Sequence, residues 1–283
     1  MLSFTRPPEP LSFSMTVQNA KNAVQVAVTA GIVPSFPELW KSFKAPLSFA
    51  QYHKCGYCER DCISTTDGDV EHFAPKGELS QLDPLNIGSE ADNLGSVTGR
   101  STPILSDRAY WWKAYEWSNY LLACPNCNRK WKRGCFPVQQ NPRQIPPSPE
   151  IVEDPLLLNP FDDVEVEYRF LYTEFGAIKP VGGNTRATVT ISICGLDRPS
   201  LTFRRASFAA DAFRNCRQLF WAVEKNPVGV KAAAENLLAM GDISREHAGM
   251  IRAIWKQQGL EWEALEQLAT QAEMPVHESP LAQ

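Results

Sequence analysis

Two Cys-x-x-Cys pairs carry the clearest chemistry in the sequence: Cys55 and Cys58 in KCGYCE, and Cys124 and Cys127 in ACPNCN. A turn of this kind aims two sulfurs at one point about 2.3 Å away, and two such turns complete the tetrahedral shell of a zinc ion. We therefore expect these cysteines to hold a structural Zn²⁺, with Cys62 or Cys135 as a substitute ligand. The competing interpretation is that they are small apolar residues that fill the core.

The stretch DVEHFAPK places His72 directly after Glu71 on a predicted short strand. Histidine has the intrinsic pKa of a general base near neutral pH. Glu71 and Asn128 offer the oxygen ligands that Mg²⁺ prefers, and Asp69, on the same strand face as Glu71, is the alternative ligand. Hydrolysis of a phosphodiester requires such a base together with a divalent ion. The residues therefore predict a catalytic Mg²⁺, for which Mn²⁺ can substitute.

Basic residues concentrate beside these motifs. Between positions 108 and 136 there are six basic residues and one acidic residue, whereas the whole chain has a formal net charge of −4. An acidic chain has no general attraction to phosphate backbones, so a small local patch is favoured over a long groove. The residues expected to contact nucleic acid are Lys76, Arg129, Lys130, Lys132 and Arg133. The alternative is an ordinary solvated face.

The first CxxC pair, the acid-His-aromatic-x-Pro segment and the run NYLLACPNCNRK together resemble the HNH nuclease family. The longer run YWWKAYEWSNYLLACPNCNRKWKR is similar to the HNH effectors of Septu-type and retron-associated antiphage systems, which work beside an ATPase. These motifs cover residues 52–136. LLLNP at 156–160 and GLDRPSL at 195–201 add a weaker similarity.

This resemblance implies a metal-dependent endonuclease that cuts nucleic acid, with DNA favoured over RNA, as the effector of a defence complex with an ATPase subunit. It also implies that His72 and Asn119 are the catalytic residues, because Asn119 matches the central Asn of the family. We expect the amide oxygen of Asn119 to accept a hydrogen bond from one imidazole nitrogen of His72. Many family members carry Asp at the position of Glu71, which leaves open whether Glu71 or Asp69 holds the catalytic metal.

The fold that would position these residues is of the α+β class, with a ββα-metal (HNH, treble-clef-like) core that contains a Cys₄ zinc knuckle. The predicted regions are an N-terminal extension and helix (1–51), the nuclease core with a long insertion (52–136), a Pro-rich linker (137–163) and a mainly helical region (164–283). We expect the last region to dock onto the ATPase partner.

Local signals give the secondary structure. The predicted helices are 36–53, interrupted by Pro46, then 108–118, 185–194 and several amphipathic helices after Ser200. The predicted strands are 119–124 and 164–173, the latter with a hairpin partner at 176–180. The β-branched run at 185–194 also fits a strand, but Asn184 or Thr185 as N-cap and Gly195 beyond the end favour a helix.

No apolar run approaches the ~18 residues of a membrane span, and the first residues lack the apolar core of a signal peptide. We therefore expect a cytoplasmic protein without a membrane partner. Two other functions compete with the nuclease: a catalytically silent, zinc-stabilised interaction module, and a zinc ribbon that binds nucleic acid without cutting it. The set Glu71, His72, Asn119 and Asn128 argues against both, since a scaffold needs only the cysteines.

Overall fold

The computed structural model describes residues 1–62, 68–77, 79–82, 101–104, 110–139 and 154–270. Most of the predicted insertion, the IPPSP stretch of the predicted linker and the end of the chain beyond residue 270 lie outside these ranges. Within them, helices combine with small two-stranded sheets. This mixture confirms the predicted α+β class.

The strands form antiparallel pairs. They are β1 (Asp69–His72), β2 (Leu79–Leu82), β3 (Ser101–Ile104), β4 (Tyr120–Ala123), β5 (Phe170–Tyr172) and β6 (Ile178–Pro180). β1 pairs with β4, β2 with β3, and β5 with β6. Every residue of β4 is buried, and the register sets Glu71 across from Leu121 and His72 across from Tyr120. The acid-histidine pair therefore lies on a strand fixed against an apolar core strand.

The α-helices are α1 (Phe13–Thr29), α2 (Lys44–Ala50), α3 (Thr185–Cys194), α4 (Pro199–Lys225), α5 (Val230–Met240), α6 (Ala248–Lys256) and α7 (Trp262–Thr270). Short 3₁₀ helices span Leu39–Phe43, Trp111–Lys113, Trp117–Asn119, Val166–Arg169, Val181–Gly183 and Pro227–Gly229. A π-helix, Asn126–Lys132, follows β4. At its end the N–H of Arg133 donates to the carbonyl of Asn128, five residues earlier, at 2.8 Å. Single π turns of this kind are frequent at functional sites.

The predicted break at Pro46 is wrong. The 3₁₀ helix Leu39–Phe43 runs directly into α2, and Pro46 is the third residue of α2. The N–H groups of a first helical turn have no intrahelical acceptor, so a proline there removes no hydrogen bond.

The aromatic stretch predicted as one helix over 108–118 forms two 3₁₀ turns in its described part. Trp111 and Trp117 pack into a cluster with α1, whereas Tyr110 packs into the main core. A single helix face cannot direct these rings into two separate clusters. The prediction of one helix is therefore wrong, because packing into two clusters requires the chain to turn between the rings.

In the C-terminal half, α3 is a helix as its caps predict. The side chain of Asn184 accepts from the N–H of Ala187 at 2.9 Å, and Gly195 ends the helix with φ of 56°. The predicted strand at 164–173 is shorter than expected, since Val166–Arg169 is a 3₁₀ helix and only Phe170–Tyr172 pairs with β6. The helices α4 to α7 confirm the amphipathic pattern after Ser200.

One hydrophobic cluster extends from the β1–β4 sheet to the C-terminal helices. Its members include Leu121 of β4, Leu158 of the LLLNP segment, Ile191 of α3 and Trp255 of α6. The segments on both sides of the predicted linker therefore share one core. None of the helices in the described ranges is long and apolar enough to cross a membrane.

The packing of α3 against the π-helix generates a stability prediction at Gly195. A Cβ added to Gly195 would lie 1.9 Å from Cδ2 of Trp131, and the positive φ would add strain. We expect Gly195→Ala to lower the free energy of unfolding by about 1–2 kcal/mol from strain and about 1–3 kcal/mol more from overpacking. Gly182→Ala is the matched control, because Gly182 also has a positive φ but no atom within 4 Å of the added carbon. Equal losses in denaturant titrations of the two variants would contradict the contact with Trp131.

Candidate metal centre and active site

The two Cys-x-x-Cys pairs meet in the core. The sulfurs of Cys55, Cys58, Cys124 and Cys127 all lie within 4.8 Å of one another, and all four residues are buried. The sulfurs of Cys58 and Cys124 are 3.8 Å apart, the value of about 3.8 Å that a tetrahedron with 2.3 Å zinc-sulfur bonds requires. Cys62 and Cys135 are buried but lie outside this group. The donor set fits the predicted structural Zn²⁺.

Backbone contacts fix the first pair against β4. The N–H of Gly56 donates to the carbonyl of Leu122 at 2.9 Å. The buried side chain of Gln51 also accepts from the N–H of Leu122 at 2.7 Å and donates to its carbonyl at 2.9 Å. On the second pair, the N–H of Cys127 donates to the sulfur of Cys124 at 3.4 Å. The cluster therefore joins the loop before β1 to the end of β4.

Arg198 contacts the cysteine cluster, although the sequence patterns did not single it out. It is 2% exposed, and its Nη1 lies 3.6 Å from the sulfur of Cys127. Burial works to lower the pKa of Arg198, but the nearby Cys127, Cys58 and Cys124 outweigh it and raise that pKa. Four thiolates around Zn²⁺ carry a net charge of about −2, which this buried cation partly offsets. Its only signal in the sequence was its place in GLDRPSL.

Most of the predicted site residues outside the cysteine pairs line a cleft of about 1030 Å³. Its lining includes seven of the predicted site residues, namely Asp69, Glu71, His72, Lys76, Asn128, Arg129 and Arg133. Asn119 and Lys132 lie beneath it in the core, and Lys130 is exposed but does not line it. The cleft also contains Trp40, Lys41 and Lys44, which sequence analysis did not connect with the site.

One ring nitrogen of His72, Nε2, is hydrogen-bonded to the protein backbone. Its Nε2 lies 3.0 Å from the carbonyl oxygen of Ala114. A carbonyl only accepts hydrogen bonds, so Nε2 carries the proton and the neutral ring keeps its lone pair on Nδ1. Burial lowers the pKa of His72 well below its usual value, and Lys76 adds to this shift. The geometry and the charges therefore favour a neutral imidazole whose Nδ1 can accept a proton.

Asn119 does not contact that imidazole, so its predicted role is wrong in this detail. Its Oδ1 accepts from the N–H of Ala74 at 2.8 Å, and its Nδ2 donates to the carbonyls of Ala74 and Lys113 at 3.0 Å. The amide thus satisfies the backbone of the turn that follows β1. It ties the turn after His72 to Lys113, the residue before Ala114, whereas the ring itself is oriented by Ala114.

Lys132 is fully buried, with 0% exposure, which contradicts its predicted contact with a phosphate. Its Nζ lies 2.5 Å from Oε1 of Glu71 and donates to the carbonyl of His72 at 3.0 Å. Burial raises the pKa of Glu71, and the charge of Lys132 opposes this shift. The π-helix directs Lys132 into the core, where an unpaired ammonium would cost several kcal/mol of folding free energy. The pair with Glu71 of β1 offsets that cost.

Asp69 is the carboxylate in contact with Asn128. The Nδ2 of Asn128 donates to Oδ2 of Asp69 at 3.2 Å, and Arg129 binds Asp69 through both oxygens, at 2.8 and 2.5 Å. Asp69, Glu71 and Asn128 thus bring oxygen donors of the type that Mg²⁺ prefers to one cleft. The two carboxylates have nitrogen partners with which a cation would compete: Arg129 and Asn128 on Asp69, and Lys132 on Glu71.

The comparisons with known proteins give one relation. A Septu protein PtuB from Bacillus mycoides (strain KBAB4) is 33% identical over 159 residues, which are 56% of this chain and 48% of that protein. The chain therefore spans about half the length of the curated relative that it matches. No family model and no solved structure matches the chain. The similarity supports the predicted relation to Septu-type proteins, while membership of the HNH family stays a prediction.

The cysteine cluster generates a prediction about metal content. We expect the purified protein to carry about one zinc ion per chain, and Cys124→Ser to lose it together with most of the folding stability, because structural zinc is worth about 10–16 kcal/mol in zinc-finger peptides. Cys62→Ser is the matched control, since it changes a neighbouring buried thiol outside the group of four. It should keep the zinc, as measured by elemental analysis and thermal melting. A folded wild-type protein without zinc would contradict the assignment.

The pair of Lys132 and Glu71 generates a second prediction. Lys132→Met leaves a buried carboxylate without its partner, and breaking such a pair costs about 3–5 kcal/mol of unfolding free energy. The double variant Lys132→Met with Glu71→Gln should recover most of this loss, because neither remaining group is charged. Arg214→Met, which breaks the exposed pair with Asp211, serves as the control and should cost at most about 1 kcal/mol. A single and a double variant of equal stability in denaturant titrations would refute this coupling.

Proposed function

We propose that this chain is a metal-dependent endonuclease that hydrolyses phosphodiester bonds in nucleic acid, with DNA as the favoured substrate. The observation that carries the proposal is the state of His72: a neutral imidazole, its Nε2 bound to Ala114, lines a cleft together with oxygen donors and basic side chains. In this proposal the strands β1 and β4 and the following π-helix, clamped by zinc, form a ββα-metal core.

The residues of the chain divide the reaction between them. Nδ1 of His72 takes the proton from the attacking water, and the carbonyl of Ala114 stabilises the imidazolium that results because Nε2–H donates to it. Arg133 and Lys76 bind phosphate oxygens at the cleft surface. Asn119 and Lys132 are positioning residues, since Asn119 binds the backbone of Ala74 and Lys132 binds the carbonyl of His72.

A Mg²⁺ ion, when bound by Asn128 with Glu71 or Asp69, supplies positive charge to the phosphate and the leaving oxygen. The contact between Asn128 and Asp69 supports Asp69 as one ligand, and the buried pairing with Lys132 makes Glu71 the less available carboxylate. Mn²⁺ serves the same donor set. Metal binding by Asp69 would compete with its contact to Arg129, and Arg129 would then be free to contact the substrate.

We further propose that the chain acts in an antiphage defence complex with an ATPase subunit. The similarity to a Septu protein supports the defence context, although it covers about half of that relative. The formal net charge of −4 limits the grip of this chain on nucleic acid by itself. A partner that binds the helices after Ser200 would supply the additional affinity and the control of cleavage.

The proposed base is tested by single-turnover cleavage of labelled DNA and RNA. We expect His72→Ala to lower the rate by about 10²–10⁴-fold at every Mg²⁺ concentration, because general-base assistance is lost. Asn128→Ala should also be slower, but raising the Mg²⁺ concentration should restore part of its rate, because its defect is in metal binding.

His53→Ala is the matched control. His53 bonds to Ser48 and does not line the cleft, so the variant should cleave at the wild-type rate. Zinc content and thermal melting check the fold of each variant. Wild-type cleavage by folded His72→Ala protein would remove His72 from the mechanism. A folded, zinc-loaded wild-type protein that cuts neither substrate would favour the silent interaction module.

A further inference from the structure

The 3₁₀ helix Leu39–Phe43 presents two different faces. Residues three apart lie on the same side of a 3₁₀ helix. Trp40 and Phe43 are buried, whereas Lys41 is exposed and Lys44, the residue that follows this helix, is half-buried. Both lysines line the same cleft as His72. The sequence WKSFK thus places an aromatic pair inward and a lysine pair toward the cleft.

The aromatic face fixes this helix to the catalytic strand. The ring of Trp40 packs edge-on against the ring of His72, with 4.6 Å between centroids, and Phe43 packs against Phe13 of α1 at 5.0 Å. The hydroxyl of Tyr115 donates to the carbonyl of Pro37, just before the helix, at 2.9 Å. These contacts hold Lys41 and Lys44 in a set position relative to the proposed base.

The two lysines are available to an anionic ligand. Lys41 pairs with Glu38, but the side chains are 66% and 59% exposed, and such surface pairs contribute only about 0–1 kcal/mol. Lys44 has no ion-pair partner among the residues that the structure describes.

We propose that Lys41 and Lys44 form a second phosphate-binding site, which holds the sugar-phosphate backbone of the nucleic acid on the N-terminal side of the cleft. This inference rests on the proposed nuclease function and assigns part of its substrate binding to a segment outside the predicted core of 52–136. In this proposal the nucleic-acid strand passes between two basic segments of the cleft. One segment carries Lys41 and Lys44, and the other is the end of the π-helix with Arg129 and Arg133. His72, with Trp40 against its ring, lines the same cleft.

The test measures binding separately from cleavage. In wild-type protein with Mg²⁺ withheld, which keeps the contact between Trp40 and His72, the affinity for a labelled DNA duplex and a labelled single-stranded RNA is measured by fluorescence anisotropy across a salt titration. Adding Lys41→Ala and Lys44→Ala should weaken binding at about 0.1 M salt by about 10- to 100-fold. The slope of log affinity against log salt should fall in magnitude by about 1.8 on the duplex, or about 1.4 on the single strand, because two phosphate contacts are lost.

Two double variants measured under the same conditions serve as controls. Lys179→Ala with Lys225→Ala removes the same charge from exposed positions on β6 and α4 and should leave affinity and salt slope unchanged. Lys41→Arg with Lys44→Arg keeps the charge and should retain binding. The stronger of the DNA and RNA responses identifies the nucleic acid that this site holds.

The outcomes separate this inference from the proposed function. Unchanged affinity and slope in the Lys41→Ala, Lys44→Ala protein would overturn the second site while leaving the nuclease proposal in place. Equal loss in the arginine variant would also overturn it, because the effect would not be electrostatic. Absence of binding to both nucleic acids would overturn the site as well, and cleavage by the wild-type protein would then decide the nuclease proposal independently.

Discussion

The arrangement of the site depends on one constraint, the meeting of four cysteine sulfurs across a long stretch of chain. Between Cys58 and Cys124 there are 65 residues, and closing a loop of this length costs about 4 kcal/mol of chain entropy. Zinc binding by four thiolates exceeds that cost. Because β4 runs directly into Cys124, this closure sets β4 beside the first knuckle and leaves β1 to pair along it. The acid-histidine strand owes its position to this cysteine cluster, although none of its residues belongs to the group of four.

Buried polar groups then refine the geometry that the cluster establishes. Asn119 binds the backbone after β1, Lys132 binds both Glu71 and the carbonyl of His72, and Ala114 engages the imidazole. Each contact satisfies a polar group that has lost water, so each would be costly to remove alone. The network therefore restricts His72 to one ring orientation and one tautomer. If His72 is the base that we propose, it needs little rearrangement when a substrate arrives.

Metal-ligand spacing and helix caps depend on neighbouring residues and were predictable from the sequence. Contacts between residues far apart in the chain were not. The spacing of each Cys-x-x-Cys pair already places its two sulfurs side by side, so the cluster was predictable. The helix α3 was predictable because Asn184 and Gly195 are strong caps. The partner of Asn119 was missed because its amide reaches across to Ala74, and a family pattern gives residue types without contacts. Lys132 was predicted to contact nucleic acid because its neighbours in sequence are also basic. Only the π-helix in the structure shows that this lysine points into the core. Arg198 lies 71 residues after the cysteine it contacts, a separation at which no spacing rule applies.

The central claim is that this cleft directs a water molecule onto a phosphodiester, and isotope transfer from water tests it most directly. Purified wild-type protein is incubated with DNA and with RNA in ¹⁸O-labelled water and Mg²⁺, and the product ends are analysed by mass spectrometry. The account predicts one ¹⁸O atom in the terminal phosphate at each cut, with no cut when Mg²⁺ is withheld and the zinc retained. Products without the label, such as a cyclic phosphate formed by the RNA 2′-hydroxyl, would contradict water activation by His72. Folded, zinc-loaded protein that yields no product from either nucleic acid would contradict the nuclease itself.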